Sequence, residues 1–180
     1  MIVYGLDLTK IKTKNIPLLR RKIGFDFQDF RVIPDKTVGE NIIIALEIAC
    51  YDKKKIPEKV KHILTLVGLA GKENLFPGQL SGGELQRASI ARAIAADPPL
   101  LFADEPTGNL DKDTSIEIFK LLQKINSDGT TVIMATHDVT LIDLNLGRHI
   151  FLEKGKIVKE TTKHQVEKTD KKEDKKPEKD

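Results

Sequence analysis

The residues most able to do chemistry fall in two stretches, Leu80-Ser81-Gly82-Gly83-Glu84-Leu85-Gln86-Arg87 and Leu100-Leu101-Phe102-Ala103-Asp104-Glu105. The first opens a helix with a hydroxyl and two glycines. A helix N-terminus presents free backbone N–H groups at the positive end of its dipole, which suits an anion such as a phosphate. The second is an apolar strand ending in two adjacent carboxylates, a pair able to hold a hydrated Mg²⁺ and orient a water beside that phosphate. Together they point to nucleotide hydrolysis. Each has a plainer alternative. Ser81-x-x-Glu84 also fits an ordinary capping box, and Asp104-Glu105 fits a strand end with helix-capping acids. Gly82-Gly83 favours the anion, because capping needs no glycine pair whereas close backbone approach to a ligand does.

The elements that must position these residues follow from periodicity and punctuation. Met1 to Tyr4 reads as a short strand with Gly5-Leu6-Asp7 as its turn, and a short helix is expected after Pro17. Ile23 to Phe27 alternates apolar with small or polar residues, a strand that delivers Gln28 at its end. Thr37-Val38-Gly39-Glu40 fits a capping box for a helix reaching about Cys50. Pro57 opens a second helix with Val60, Ile63, Leu64 and Val67 on one face, stopped by Gly68 and Gly71. A helix from Glu84 to about Ala96 then leads through Pro98-Pro99 into the strand Leu100–Ala103. An amphipathic helix over Thr114 to Asn126 precedes a second strand, Thr131–Ala135, ending at Thr136-His137-Asp138. Both apolar runs read as strands buried on two faces, and strand–helix–strand in this order implies a right-handed parallel unit. Ile150–Leu152 and Ile157-Val158, flanking Lys154-Gly155-Lys156, read as a hairpin.

Composition excludes several classes. Lys+Arg 30 against Asp+Glu 27 gives a net charge of +3, too balanced to argue for nucleic acid or a membrane surface. Cys50 is the single cysteine, so no internal disulfide is possible, and the four histidines are scattered rather than clustered for a metal. No apolar run approaches membrane-spanning length, and the first residues lack a signal peptide's basic and apolar regions. A cytosolic protein is expected. From Lys163 to Asp180 there are seven Lys and six Asp or Glu, with Val166 the only aliphatic residue, a composition that predicts a disordered tail over 161–180.

Taken singly, Gln28 is uninformative, Asn109-Leu110-Asp111 is a turn and His137 is a surface or structural histidine. Their order carries more: Gln at a strand end, helical insertion, Leu-Ser-Gly-Gly-Glu, strand-Asp-Glu, Asn-Leu-Asp, strand-Thr-His-Asp. This order resembles the nucleotide-binding domain of ABC transporters from residue 1 to about 160. Leu80 to Glu84 matches the family signature without a departure. The resemblance implies an α/β fold of the P-loop NTPase type, with a parallel sheet core and a helical subdomain inserted over about 29–79. It implies ATP and Mg²⁺ as cofactors. Asp104 would hold the metal through water, Gln28 would lie at the metal and the attacking water, and Glu105 would be the general base. His137 would contact the γ-phosphate. Ser81, Gly82 and Gly83 would close over a nucleotide held by the opposite subunit of a homodimer, with Asp111 at the dimer seam.

Ile16 to Gly24, Phe27-Gln28-Asp29-Phe30-Arg31 and Pro34 to Asn41 are most similar to the branch of that family that works in bacterial cell division. That branch implies a transmembrane partner, membrane association through the partner alone, a place at the inner face of the plasma membrane, and no nucleic acid. Lipoprotein-release and macrolide-export ATPases are the neighbouring alternatives.

One part of the pattern is missing. Gly-x-x-x-x-Gly-Lys-Ser/Thr, which cradles the β- and γ-phosphates, occurs nowhere in the 180 residues; Gly71-Lys72 and Gly155-Lys156 lack the upstream glycine and the hydroxyl that follows. Met1 is therefore expected to fall inside the domain, beyond the phosphate loop and its helix. The chain alone is expected to bind ATP weakly and hydrolyse it negligibly. A degenerate, non-catalytic module docking on a membrane partner is the competing expectation. The intact set of Gln28, Glu105 and His137 favours a truncated motor over that module.

Overall fold

A computed structural model describes residues 2–3, 6–138 and 147–161. Two compact units are present, 1–136 and 137–180. In the first, strand β1 (Ile2–Val3) pairs antiparallel with β2 (Leu6–Asp7), so Leu6 and Asp7 form a strand where a turn is expected. A 3-10 turn at Thr13–Asn15 leads into the short helix α1 (Ile16–Arg20), with Pro17 in its first turn. Strand β3 (Ile23–Asp26) follows.

Helix α2 (Val38–Ile48) is capped by Thr37 as expected, Thr37 Oγ1 accepting from Glu40 N–H and Glu40 accepting from Thr37 N–H. Asn41, 1% exposed, accepts from Ile33 N–H and donates to the carbonyls of Ile33, Lys36 and Thr37, so one side chain folds the loop entering the helix. Helix α3 (Ile56–Leu66) buries Ile56, Val60, Ile63 and Leu64, and Gly68 ends it with φ of 75°, whereas Gly71, also at positive φ, lies in the loop beyond. Helix α4 (Gly82–Ile94) begins at the first glycine, two residues before the expected start, because the Ser81 cap makes Gly82 the first helical position. It ends early as Asp97, with φ of 50°, turns the chain toward Pro98.

Strand β4 (Leu100–Asp104), helix α5 (Lys112–Ser127) and strand β5 (Thr131–Ala135) complete the unit. The sheet order is β3-β4-β5, with both pairings parallel. Its core joins Ile42 and Leu46 of α2, Ile63 and Leu64 of α3, Ile90, Ala91 and Ile94 of α4, Leu101 and Ala103 of β4, and Ile118 and Leu122 of α5.

Two strands depart from their patterns. Strand β4 is buried as expected, whereas β5 alternates, with Thr131, Ile133 and Ala135 exposed. It lies at the sheet edge, and one of its faces is uncovered. In β3 the usual rule is inverted: Gly24 and Asp26 are buried while Phe25 is 40% exposed. The cause is the approach of α4. A Cβ on Gly24 would stand 2.4 Å from the Ala93 carbonyl oxygen, so the helix backbone occupies the space a side chain would need. The Phe25, Phe102 and Ile133 positions are in register across the three strands on the other face, where Phe25 and Phe102 stack at 5.9 Å.

The second unit contains the antiparallel hairpin β6 (His149–Glu153) and β7 (Lys156–Thr161). Lys154 and Gly155 take φ of 48° and 76°, as a two-residue hairpin turn with the twist of its strands requires. Strand β7 includes Thr161, one residue beyond the expected tail boundary; the remainder of the predicted tail lies outside the described residues. Among the described residues no helix is long and apolar enough to cross a membrane.

Candidate nucleotide site

The start of α4 is built tightly. Ser81 Oγ accepts from Glu84 N–H at 3.4 Å, and Glu84 Oε2 accepts from Ser81 N–H at 2.9 Å. Capping uses a lone pair of the hydroxyl, so its proton remains able to donate to an anion. Lys72, from the loop after α3, pairs with the other Glu84 oxygen. That hydrogen bond, followed by those from Ser81, holds the Glu84 carboxyl down at about 2. Arg87 donates to the Val67 carbonyl at 3.1 Å and to Glu117 of α5 at 2.8 Å. The helix that presents Ser81 is thus tied on both sides.

Ser81, Gly82 and Gly83 come together with Leu110 and Asp111 in this unit. A Cβ on Gly83 would meet Thr114 Cγ2 at 2.6 Å, whereas one on Gly82 would make an ordinary 3.7 Å contact with Leu110. Thr114 is fixed by donating its hydroxyl to Asp111 Oδ2 at 2.6 Å. The reason for the two glycines therefore divides: packing against α5 requires the second, and only the first is left for approach to a ligand. Asp111 caps α5, accepting from the N–H groups of Asp113 and Thr114, and the Thr114 hydroxyl bond leads the interactions that lower its pKa. Its carboxylate is exposed but occupied locally.

Gln28 and the two carboxylates stand at the C-terminal ends of neighbouring parallel strands. Asp26 is paired in register with Ala103, so Gln28 lies two residues past one strand and Asp104 and Glu105 close the other. Gln28 and Asp104 are exposed and Glu105 is half-buried. Glu105 takes φ of 49°, with its N–H donating to the Ala135 carbonyl at 2.9 Å. Left-handed backbone at a non-glycine residue costs about 1 kcal/mol or more and persists where its surroundings fix it. Such ends of parallel strands are where α/β sheets bind ligands. The donors here are hard oxygens on adjacent strands, which suits Mg²⁺. That ion takes one or two protein carboxylates and completes its shell with phosphates and water, so the absence of a cluster of three or more His, Cys, Asp or Glu among the described residues is consistent with it. His137 begins the second unit and is exposed.

A cleft of about 490 Å³, lined by Pro17, Arg20, Gly24, Ile44, Ile48 and Arg92 among others, lies beside β3 and includes none of Gln28, Asp104 or Glu105. The residues that hold the site together have no site role in the sequence reading: Lys72, Thr114, and the buried trio Asp26, Gln86 and Ser89. Their one legible signal is the three-residue spacing of Gln86 and Ser89, which puts two polar groups on one face of an otherwise apolar stretch of α4.

A parallel sheet carrying this constellation defines an ATP-binding cassette. Residues 3–108 match the ABC transporter family, and the chain belongs to that family. The particular relatives are cell-division proteins. The chain is 49% identical over 161 residues to the cell division ATP-binding protein FtsE of Streptococcus pneumoniae D39, covering 89% of this chain and 70% of the relative. It is 48% identical to FtsE of Bacillus subtilis 168 over 91% of this chain and 72% of the relative. Against FtsE of Escherichia coli K12 the identity is 46%, over 84% and 68%. Among solved structures, the ATP-binding cassette MJ0796, as a dimer in a post-hydrolysis state bound to ADP and Pi, superposes with a TM-score of 0.77 at 34% identity. That match covers 89% of this chain and 72% of the cassette.

Proposed function

We propose that this chain is an FtsE-like subunit of an ABC-type cell-division complex, contributing its signature helix to a nucleotide site shared with a second subunit. The observation that carries the reading is the start of α4. Ser81, capped so that its hydroxyl proton stays available, opens the helix beside Leu110 and Asp111, and Gly82 leaves its backbone open to approach. In this reading ATP and Mg²⁺ are the cofactors, the metal supplying charge neutralisation at the transferring phosphoryl group. Asp104 holds the metal through water, Gln28 orients it from the neighbouring strand end, and Glu105 accepts a proton from the attacking water. His137 hydrogen-bonds the γ-phosphate, and residues of about 29–79 act as the helical subdomain facing the membrane partner. That partner is an FtsX-like transmembrane protein, and the assembly is dimeric and peripheral at the cytoplasmic face.

The competing reading is a module that docks on a membrane partner without turning over ATP. One experiment separates the two. An FtsE relative that carries a phosphate loop, with its own signature serine replaced by arginine, has a loop but no competent signature to offer. Added to it, this chain is expected to restore ATP turnover, and its Ser81→Arg variant is not. Equal restoration by both, or none by either, overturns the first reading.

A further inference from the structure

Asp26 ends β3, two residues before Gln28, and is fully buried, yet none of the roles above uses it. Its carboxyl accepts hydrogen bonds from Gln86 Nε2 at 2.6 Å and from Ser89 Oγ. Both donors lie on α4, are 1% exposed, and stand three residues apart on the face turned to β3. Ser89 Oγ is also 2.9 Å from the Phe30 carbonyl oxygen, which Arg92 of the same helix approaches at 3.5 Å. Phe30 and Arg31 are the left-handed residues of the turn that follows Gln28, with φ of 60° and 46°. Outside this contact, among the described residues, the turn is held by short-range links: Phe30 N–H to the Phe27 carbonyl, Arg31 N–H to the Asp29 carbonyl, and Arg31 against Asp29 and the Phe27 ring. Two consecutive non-glycine residues at positive φ need a longer-range restraint, and among the described residues α4 supplies it through Ser89 and Arg92.

We infer that Asp26, Gln86 and Ser89 form a positioning clasp that fastens the turn after Gln28 to the helix opened by Ser81, so that these two parts of the site shift as one piece. The clasp joins residues 60 and 63 positions apart in the chain through buried side chains alone. Its relevance to nucleotide rests on the reading of Gln28 and Ser81 given above; its existence does not.

The chemistry predicts which substitutions the clasp survives. In Asp26→Asn the amide oxygen accepts from Gln86, the amide nitrogen donates to Ser89 Oγ, and the Ser89 hydroxyl is released to the Phe30 carbonyl, so every partner is satisfied. Asp26→Val preserves shape but strands Gln86, and Ser89→Ala removes the bridge with the loss of a single atom. Backbone hydrogen exchange is measured on the 180-residue chain without nucleotide. Ser89→Ala and Asp26→Val are expected to speed exchange across 28–33 and 81–86 by about tenfold, with α3 and α5 within about twofold of the parent, as local rather than global opening requires. Asp26→Asn is expected to exchange no faster than the parent. The inference is overturned by unchanged exchange at 28–33 in Ser89→Ala, by a rise of equal size in α3 and α5, or by Asp26→Asn behaving like Asp26→Val. Because no nucleotide is present, such a failure leaves the site reading standing, and that reading fails separately if Ser81→Arg does not impair turnover in the mixed assay.

Discussion

The divided role of the two glycines at the start of α4 can be tested by adding one carbon at a time. In Gly83→Ala the new methyl would stand 2.6 Å from Thr114 Cγ2, about 1 Å inside an ordinary contact. Rotating Thr114 would relieve the clash but break its 2.6 Å hydrogen bond to Asp111, the residue that caps α5. Overpacking of this kind costs about 1–3 kcal/mol. Replacing glycine by alanine in a helix returns up to about 1 kcal/mol, less in the first turn. The net expectation is a loss of about 1–2 kcal/mol. Gly82→Ala meets only Leu110 at 3.7 Å, so the helix gain stands nearly alone and stability should hold or rise by about 0.5 kcal/mol. Thr114→Ser deletes the obstructing methyl and keeps the hydroxyl bond to Asp111, so Gly83→Ala combined with Thr114→Ser should recover most of the loss. Urea denaturation followed by circular dichroism reads all four proteins. Equal effects of the two alanines, or no recovery in the double variant, would show that packing against α5 is not why Gly83 is a glycine. In the mixed ATPase assay the order should reverse, with Gly82→Ala impairing complementation although it leaves the fold intact.

Further expectations follow from the same contacts. Burial pushes the Asp26 carboxyl up to about 6 from an ordinary 3.8, with Ser89, Gln86 and Arg92 opposing. The native state therefore holds this proton more tightly than the unfolded chain, and the stability so gained is present below about pH 4 and lost as pH rises through about 6. The difference of about 2 units corresponds to about 3 kcal/mol, so the stability advantage of Asp26→Asn over the parent should widen by that amount between pH 4 and 7.5; a gap constant with pH contradicts it. Asn41→Ala leaves the Ile33 N–H and the Lys36 carbonyl without the side chain that bonds them, while the Ile33 and Thr37 carbonyls keep backbone partners, and should cost about 2–3 kcal/mol in chemical denaturation, with a loss below about 1 kcal/mol arguing against the side chain's role in that loop. Ile133 is 47% exposed on edge strand β5, in register with Phe102 and Phe25, so the 180-residue chain is expected to self-associate. Sedimentation should show Ile133→Lys shifting it toward monomer, and a parent already monomeric at high concentration would remove the basis for this.

Much of the site could be read from the chain because its signals are local. A hydroxyl three residues before a glutamate makes a cap wherever a helix follows, as Thr37 and Ser81 both do. Periodicity located α3, α5, β4 and β5, and Gly68 stopped a helix through its own backbone freedom. The ordered set from Gln28 to His137 placed the chain in the ABC family, since each motif is a short contiguous run whose chemistry does not wait on folding. Composition likewise excluded a disulfide framework, which needs more than Cys50.

Tertiary structure decided what depends on distance between segments far apart in sequence. The alternation in Ile23 to Phe27 gives a strand but cannot say which face is covered; the approach of α4 buried Gly24 and Asp26 and left Phe25 exposed. Strand β5 has the apolar composition of an interior strand, yet its environment is set by neighbours, and among the described residues it is paired only with β4. Sequence offers ligand approach as the reason for a glycine at 83, yet Thr114, thirty-one positions on by sequence number, already fills the space its side chain would need. The carboxyl of Asp26 gives no sign in sequence that it meets Gln86 and Ser89. Hydrogen bonds between buried side chains carry no period and no local propensity, so only the packed chain reveals them.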